Sequence, residues 1–414
     1  MITNRLECDI PDFSDSLINR SHLTALRIPN PQTEPSLRNF SKRITIVCDL
    51  LSTFVRFRLP LAMEMIRRGH SVRVVGSRRD DEATAEIRAA GIDVELVPME
   101  RTGLNPVADF RYWRMLVRRL ADLQPDVLFA YQAKAAVYSH LAAASFSNCS
   151  RHVLFPGLGF LFSDSANIKK RLLRRAAVLL YRRAFRDVDT AFFQNSDDLK
   201  TLETYRILKS SVKRVIVNGS GVPLDVFEFC APAAAPIRFT MATRLLRPKG
   251  VCHFAEAAKV LKAKYGDAIE FDLLGPVDSN PNAVSANLVS QWIDAGFLQY
   301  HGAVKDVRPF LKQTSVFVLP SFYMEGTPRS ILEAMATGRA IITSDFRGCR
   351  DTVVDGVNGY LVTPQSTQSL VEAMTRFIEK PDLIAPMGQA SRRMAEEKYD
   401  VNDVVDQMLR VMGL

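Results

Sequence analysis

Two glutamates, Glu325 and Glu333, stand with seven residues between them in the segment EGTPRSILE. Glu333 falls amid Ile331, Leu332, Ala334 and Met335, so its carboxylate needs a partner if the surrounding helix is packed. The hydroxyls of a ribose supply one, because a carboxylate accepts two hydrogen bonds side by side, and Glu325 on the preceding turn then faces the sugar of the same ligand. Taken alone, the two acids fit equally well as ordinary polar residues of a helix and its leading loop. Thr327 is placed to cap that helix, Pro328 suits its first position and Gly338 closes it. The helix start therefore directs free backbone N–H groups, those of Arg329 and Ser330 among them, toward a site for an anion.

A second segment, ATRLLRPKG (242–250), presents Arg244 and Lys249 across a turn that holds Pro248 and Gly250. Departure of a diphosphate builds negative charge on the leaving oxygen, and two cations beside a helix N-terminus stabilise it without a metal. Each cation by itself reads as a surface charge; together with the helix start they read as a clamp for a leaving group.

The elements that must position these groups alternate as in parallel α/β domains. Strands are expected at ITIVCD (44–49), SVRVVG (71–76), DVELVP (93–98), DVLFAY (126–131), RHVLF (151–155), TAFFQN (190–195) and VKRVIVN (212–218), with a helix over 60–69. These suffice for one doubly wound sheet. The alternation restarts at RFTMAT (238–243) and runs through a helix over 251–265, IEFDLLG (269–275), SVFVLP (315–320), a helix over 328–337 and RAIITSD (339–345). Between the halves, the small-residue and proline-rich stretch at 220–236 reads as a connection. The expected organisation is a loose extension over 1–41, a first Rossmann-like domain over 42–225, a second over 226–395, and a helix over 396–414 placed to cross back to the first.

Glycine pairs follow two strands, Gly157 with Gly159 and Gly219-Ser220-Gly221, where a ligand cleft would lie; either pair alone reads as a tight turn. The turn after the first strand, 49–53, has no glycine, which argues against a dinucleotide fingerprint. The triplet Asp187-Val188-Asp189 matches a metal-binding DxD pattern only superficially, and no metal site is assigned to it.

With 414 residues and 47% apolar content, the chain is long enough for two domains with separate cores. Its six cysteines are scattered, with neither a CxxC pair nor a Cys/His cluster, so no zinc site or disulfide framework is indicated and a reducing cytoplasm fits best. Residues 1–40 carry no basic-then-apolar leader, and nothing approaches the roughly 20 apolar residues of a membrane span. The net charge of +9 is concentrated in KKRLLRRAAVLLYRRAFR (169–186), where Leu172, Leu173, Ala176, Leu179 and Leu180 can share a face beside eight cations. Such a helix either lies on an anionic bilayer or packs its apolar face on its own domain. No motif accompanies the charge that would make nucleic acid the partner.

EGTPRSILE, preceded by RLLRPKG and followed by GCRDTVVDGVNGYLV (348–362), resembles the signature of the retaining glycosyltransferases of family 4, which have the GT-B architecture of two facing Rossmann-like domains. The resemblance runs from about residue 42 to the C-terminus. Stretches such as YQAKAAVYSHLAA (131–143), PGLGF (156–160) and FQNSDDL (193–199) are similar to bacterial members that extend sugar chains on undecaprenyl diphosphate, among them N-acetylgalactosaminyl and other hexosyl transferases. By position, the resemblance implies that Arg244 and Lys249 bind the donor diphosphate and Glu333 the ribose. Glu325, with the backbone of Gly326, Thr327, Pro328, Arg329 and Ser330, would hold the donor sugar. Gly219, Ser220, Gly221, Gly275 and Pro276 would line the nucleotide side of the cleft. Phe54, Arg56, Lys134, Gly157 and Gly159 would contact the acceptor. Many family members carry a donor-contacting histidine after the strand equivalent to RHVLF; here that loop begins Pro156-Gly157, and His152 inside the strand reads as buried and satisfied.

The function expected is retaining transfer of a hexose or N-acetylhexosamine from a nucleoside diphosphate sugar, UDP by resemblance, to a lipid-linked saccharide. It is expected at the cytoplasmic face of the inner membrane, with no cofactor and no metal. A sugar-nucleotide epimerase or hydrolase would use the same donor site but aim a further carboxylate or histidine at the sugar. A non-catalytic membrane-peripheral protein on the same fold would have no need of Arg244, Lys249, Glu325 and Glu333 together.

Overall fold

The computed structural model describes residues 41–100, 105–159, 162, 168–232, 235–278 and 280–414. The N-terminal extension up to residue 40, Phe160 of PGLGF and residues 233–234 of the connection lie outside the described residues.

The first half builds seven strands: β1 (Arg43–Val47), β2 (Ser71–Gly76), β3 (Asp93–Leu96), β4 (Val127–Tyr131), β5 (Ser150–Phe155), β6 (Thr190–Phe193) and β7 (Lys213–Ile216). Helices α1 (Leu51–Arg67), α2 (Asp81–Ala89), α3 (Pro106–Leu123), α4 (Ala133–Ala142), α5 (Ile168–Ala184) and α6 (Ser196–Thr204) connect them. The second half adds β8 (Ile237–Ala242), β9 (Ile269–Leu274), β10 (Gln299–Tyr300), β11 (Val316–Leu319), β12 (Ala340–Ser344) and β13 (Gly359–Val362). Its helices are α7 (Val251–Tyr265), α8 (Ala286–Asp294), α9 (Arg308–Gln313), α10 (Arg329–Ala336), α11 (Thr367–Glu379), α12 (Ile384–Lys398) and α13 (Val401–Met412).

The first sheet runs β3-β2-β1-β4-β5-β6-β7 and the second β10-β9-β8-β11-β12-β13, with every pairing parallel. Parallel strands covered by helices on both faces are apolar without alternation, as in VLFAY of β4 and VFVL of β11, whose residues are all buried. In both sheets the order reverses beside the first strand, between β1 and β4 and between β8 and β11. A crevice opens at such a switch point beyond the carboxyl ends of the strands, and ligands bind there.

Helix α1 begins nine residues earlier than the expected 60–69 and contains Pro60 in its interior. A proline there has no N–H for the carbonyl four residues back. The buried face formed by Phe54, Leu61, Ala62 and Met65 compensates by packing into the first domain's core. Helix α13 joins that same core through Val404, Val405, Met408, Leu409 and Met412. The chain passes between the two sheets twice, side by side: Val222 N–H donates to the Tyr399 carbonyl (2.7 Å) and Val401 N–H to that of Val222 (3.2 Å).

A polar latch joins the halves at the cleft. Asn195 caps α6 and donates from Nδ2 to the Glu325 carbonyl (3.0 Å) and to Asp198 (3.2 Å). The Thr327 N–H donates to Gln194 Oε1 (3.3 Å), its hydroxyl to the Gln194 carbonyl (3.1 Å), and the Gly326 N–H to the Pro156 carbonyl (3.1 Å). Arg347 reaches back from the second domain to the Thr201 hydroxyl (3.0 Å) and lies 3.9 Å from Asp198. Asp198 is fully buried, and that burial pushes its carboxyl up to about 7; the hydrogen bond from Asn195 and the charge of Arg347 pull the other way, while Asp197 adds to the rise.

A carboxyl raised in the folded state binds its proton more tightly there than in the unfolded chain. Its contribution to stability is present near pH 4 and is lost as pH rises toward 7. Asp198→Asn keeps the hydrogen-bonding shape without the charge. Urea unfolding of parent and variant is expected to show the variant gaining on the parent steadily between pH 4 and pH 7; a difference independent of pH would contradict the assignment.

Candidate functional site

Helices α1, α4, α7 and α10 follow β1, β4, β8 and β11, the strands that flank the two switch points. None of the four has a side-chain cap, and none has an acid in its first turn. Helices α2, α3, α6, α8, α11 and α13, by contrast, are capped by Asp80, Asn105, Asn195, Ser285, Ser366 and Asp400. Exposed amide poles collected at the two crevices favour anionic ligands.

At the second switch point the candidate residues come together. Lys249 ends a short 3-10 turn, Arg247–Lys249, and Gly250 follows at φ +84°. A Cβ on Gly250 would stand 2.3 Å from the Pro320 carbonyl oxygen, so only glycine lets this turn close against the end of β11. The turn aims Lys249 at Glu325, with which it forms an ion pair, the two side chains being 12% and 11% exposed. The other oxygen of Glu325 accepts from the Ser321 hydroxyl (2.6 Å). Arg244 sits more openly, its guanidinium 3.2 Å from Asp278. The Leu245 N–H bonds the Pro276 carbonyl (3.1 Å), which ties this segment to the Gly275-Pro276 turn.

Thr327 does not cap α10. Pro328 occupies the cap position, and the Thr327 hydroxyl is turned to Gln194 of the first domain. The difference is tertiary: the neighbouring domain offers that hydroxyl a carbonyl. The cap position is thereby left without a side chain, and the N–H groups of Arg329 and Ser330 have no acceptor among the described residues. Gly338 follows the helix at φ +85°, as expected of its closing residue. One turn in, Glu333 pairs with Arg329 (3.2 Å). Burial raises the Glu333 carboxyl, against the pull of Arg329 and Arg56; burial likewise lowers the Arg329 guanidinium, with Glu333 opposing and Arg56 adding to the shift. A buried carboxylate with one cationic partner has remaining lone pairs for a ligand's hydroxyls.

From the first domain, Gly157 approaches so closely that a Cβ would stand 2.9 Å from the Gly326 nitrogen, and a Cβ on Gly326 would stand 2.0 Å from Gln194 Oε1. Gly159 lies near the Tyr323 hydroxyl. Gly219, at φ +66°, packs under Thr327, Gly221 lies against Val401 beside the crossing strands of chain, and Ser220 stands between them. Arg56 is exposed on α1, near enough to Arg329 and Glu333 to act on their charges.

Two expected acceptor contacts are placed otherwise. Phe54 is fully buried in the first core, because it shares the inner face of α1 with Leu61 and Met65; it is a packing residue. Lys134 is held by Asp109 (2.8 Å) and the Glu100 carbonyl (3.0 Å) on the α3 side of α4. His152 is buried as expected, but neither ring nitrogen has a hydrogen-bond partner among the described residues, and burial lowers it to about 4, so it is neutral. Asp187 accepts from Lys209 (3.0 Å) and Asp189 from the Arg151 N–H (2.7 Å), which gives the triplet a structural use. Sequence reasoning passed over Gln194, Asn195 and Asp198 as site-positioning residues, and Ser321. Only the recurrence of FQNSDDL hinted at the first three.

Residues 55–219 match the family described as glycosyl transferase 4-like domain, and residues 236–380 match glycosyl transferases group 1. The N,N'-diacetylbacillosaminyl-diphospho-undecaprenol alpha-1,3-N-acetylgalactosaminyltransferase of Campylobacter jejuni is 26% identical over 382 residues, 89% of this chain and 98% of that one. The UDP-Gal:alpha-D-GlcNAc-diphosphoundecaprenol alpha-1,3-galactosyltransferase of Escherichia coli is 32% identical over 142 residues, 34% of this chain and 36% of that one. Among solved structures, Anabaena HepE in complex with UDP-glucose superposes with a TM-score of 0.71 at 17% identity, covering 90% of this chain and 99% of that one. With both matched domains, two parallel switch-point sheets and the paired cations and glutamates in one cleft, the chain belongs to the group 1 and 4-like glycosyltransferases of GT-B architecture.

Proposed function

We propose that the protein is a retaining transferase that moves a hexose or N-acetylhexosamine from UDP to a saccharide carried on a polyprenyl diphosphate. The observation that carries this reading is the Lys249–Glu325 ion pair beside the uncapped start of α10. It puts a cation and free amide donors where a departing diphosphate accumulates charge, and a carboxylate where the donor sugar's hydroxyls lie. Arg244 adds the second cation and Glu333 takes the ribose. Gly219, Ser220, Gly221, Gly275 and Pro276 border the nucleotide, while the backbone from Gly326 to Ser330 borders the sugar and its phosphates. Arg56, Gly157 and Gly159 face the acceptor. The Campylobacter and Escherichia relatives, named for diphospho-undecaprenol acceptors, support the lipid-linked class, and the UDP-glucose complex of Anabaena HepE supports UDP.

In the reaction, the bond from the anomeric carbon to the diphosphate oxygen breaks as the acceptor oxygen bonds to the same face of that carbon. The departing phosphate oxygen takes the acceptor's proton and the diphosphate leaves with the bonding electrons. Arg244, Lys249 and the α10 amides hold that charge, and the scheme asks for neither a protein base nor a metal.

No described helix is long and apolar enough to cross a membrane. Docking on an anionic surface is assigned to α5, whose Ile168, Leu172 and Leu179 are 68%, 58% and 64% exposed while Val178, Tyr181 and Ala184 pack inward. Two of its arginines serve the domain instead: Arg174 donates to the Tyr205 hydroxyl (2.9 Å) and Arg182 to the Tyr205 carbonyl (2.7 Å). The outward set includes Arg171, Arg175, Arg183, Ile168, Leu172 and Leu179.

Three outcomes follow from these assignments. UDP should raise the melting temperature selectively among UDP, GDP, ADP and NAD, and Glu333→Ala should abolish the rise, since donor binding stabilises the folded state by mass action; a rise with none of the four would remove the donor site. Lys249→Ala should lower kcat roughly 100-fold or more, as the loss of a preorganised charge stabiliser does, and near-normal turnover would refute the clamp. Combined Arg171→Gln, Arg175→Gln, Leu172→Ser and Leu179→Ser changes should abolish co-sedimentation with phosphatidylglycerol vesicles while leaving the UDP shift intact; undiminished co-sedimentation would make α5 a packing helix only.

A further inference from the structure

Two arginines are almost completely buried, and they are treated in opposite ways. Arg339 has no exposed surface and gives its guanidinium to the carbonyls of Thr314 (2.6 Å), Thr337 (2.9 Å) and Cys230. Arg58, on α1, is 3% exposed, yet its one hydrogen bond goes to the carbonyl of its own neighbour Phe57 (3.2 Å). Its Nε has no partner, and no carboxylate pairs with it among the described residues. Its guanidinium carbon lies 5.5 Å from the centre of the Tyr131 ring, at the carboxyl end of β4. A buried unpaired cation costs several kcal/mol, by the usual order of magnitude. The Phe57 carbonyl and the Tyr131 ring offset part of that cost, and no carboxylate among the described residues offsets the rest.

The surroundings are cationic. Arg58 stands about two turns into α1, whose start at the first switch point has no side-chain cap and no acid in its first turn. Arg329, which pairs with Glu333 at the start of α10, is near enough for its charge to act on Arg58; burial is the main reason the Arg58 guanidinium is lowered to about 10, with Tyr131 opposing and the Arg329 charge adding to the shift. A planar fork of donors, a neighbouring aromatic face and open helix amides suit a phosphoryl group.

We infer that Arg58 is the first-domain seat for a phosphoryl group of the substrates, separate from the Arg244 and Lys249 clamp of the second domain. This rests on the transferase reading above, under which two substrates carry a diphosphate: the donor nucleotide and the lipid-linked acceptor. The location on α1 assigns the seat to the acceptor.

The test uses the full chain and three probes, UDP, farnesyl diphosphate and farnesol, titrated calorimetrically into parent and Arg58→Met protein. Met fills much of the same space without the charge, so ligand-free R58M is expected to melt no lower than the parent. Its affinity for farnesyl diphosphate should fall about 10-fold or more, the scale of a lost charge-assisted hydrogen bond, with UDP and farnesol unchanged. A fall for UDP instead would keep the phosphoryl seat and assign it to the donor. Equal diphosphate affinities in parent and variant, or a variant that fails to fold, would overturn the proposal. Independently of any Arg58 variant, the Arg244→Ala, Lys249→Ala double variant should still bind farnesyl diphosphate; loss of that binding with Arg58 intact would overturn it as well. A parent that binds neither UDP nor its analogues would count against the transferase reading, and is thereby told apart from failure of the seat alone.

Discussion

Four helix starts at the reversal points of the two sheets lack a side-chain cap, and the charged groups of the candidate site stand beside them. A helix N-terminus carries amide groups that the helix cannot satisfy. At α2, α3, α6, α8, α11 and α13 Asp, Asn or Ser side chains take them up, whereas at α9 and α12, and likewise at α1, α4, α7 and α10, no side chain does. Those four starts stand at the reversal points of the two sheets, so the topology gathers unsatisfied donors at the crevices. Lys249, Arg244 and Arg329, each paired with a carboxylate, and Arg58, which has none among the described residues, add cations to the same places.

The same economy explains the glycines and the latch. Loop 325–327 carries the Glu325 carboxylate and precedes the open α10 amides, and the first domain packs against it. Gly157, Gly219 and Gly326 let backbones approach where any Cβ would collide. Gln194 and Asn195 then hold the loop from across the cleft, and the hydroxyl of Thr327, drawn to Gln194, leaves the helix cap open. Asp198, whose carboxyl is raised by burial, accepts from Asn195 at this contact.

Much of the fold was legible in the chain. Fully apolar strands such as VLFAY and AIITS separated by amphipathic stretches point to covered parallel sheets, and EGTPRSILE with RLLRPKG carries the family resemblance of the second domain. Reading failed where a residue's neighbours outweighed its local preference. Pro60 pointed to a helix start and lies inside α1, held there by the core face around it. Phe54 looked like a substrate contact and proved to be core; Arg174 and Arg182 looked like lipid contacts and are bonded to Tyr205.

By itself, then, the sequence determined the alternation of elements, the doubly wound class and the glycosyltransferase family. These are properties of local pattern and of residue chemistry at short spacing. Only the tertiary structure decided that Lys249 meets Glu325, that Asn195 grips the carbonyl of a residue 130 positions away, and that Arg58 is buried with its Nε unbonded and no carboxylate beside it among the described residues. Each of these depends on which surfaces the two domains turn toward each other, a long-range outcome of packing that no short stretch of chain encodes.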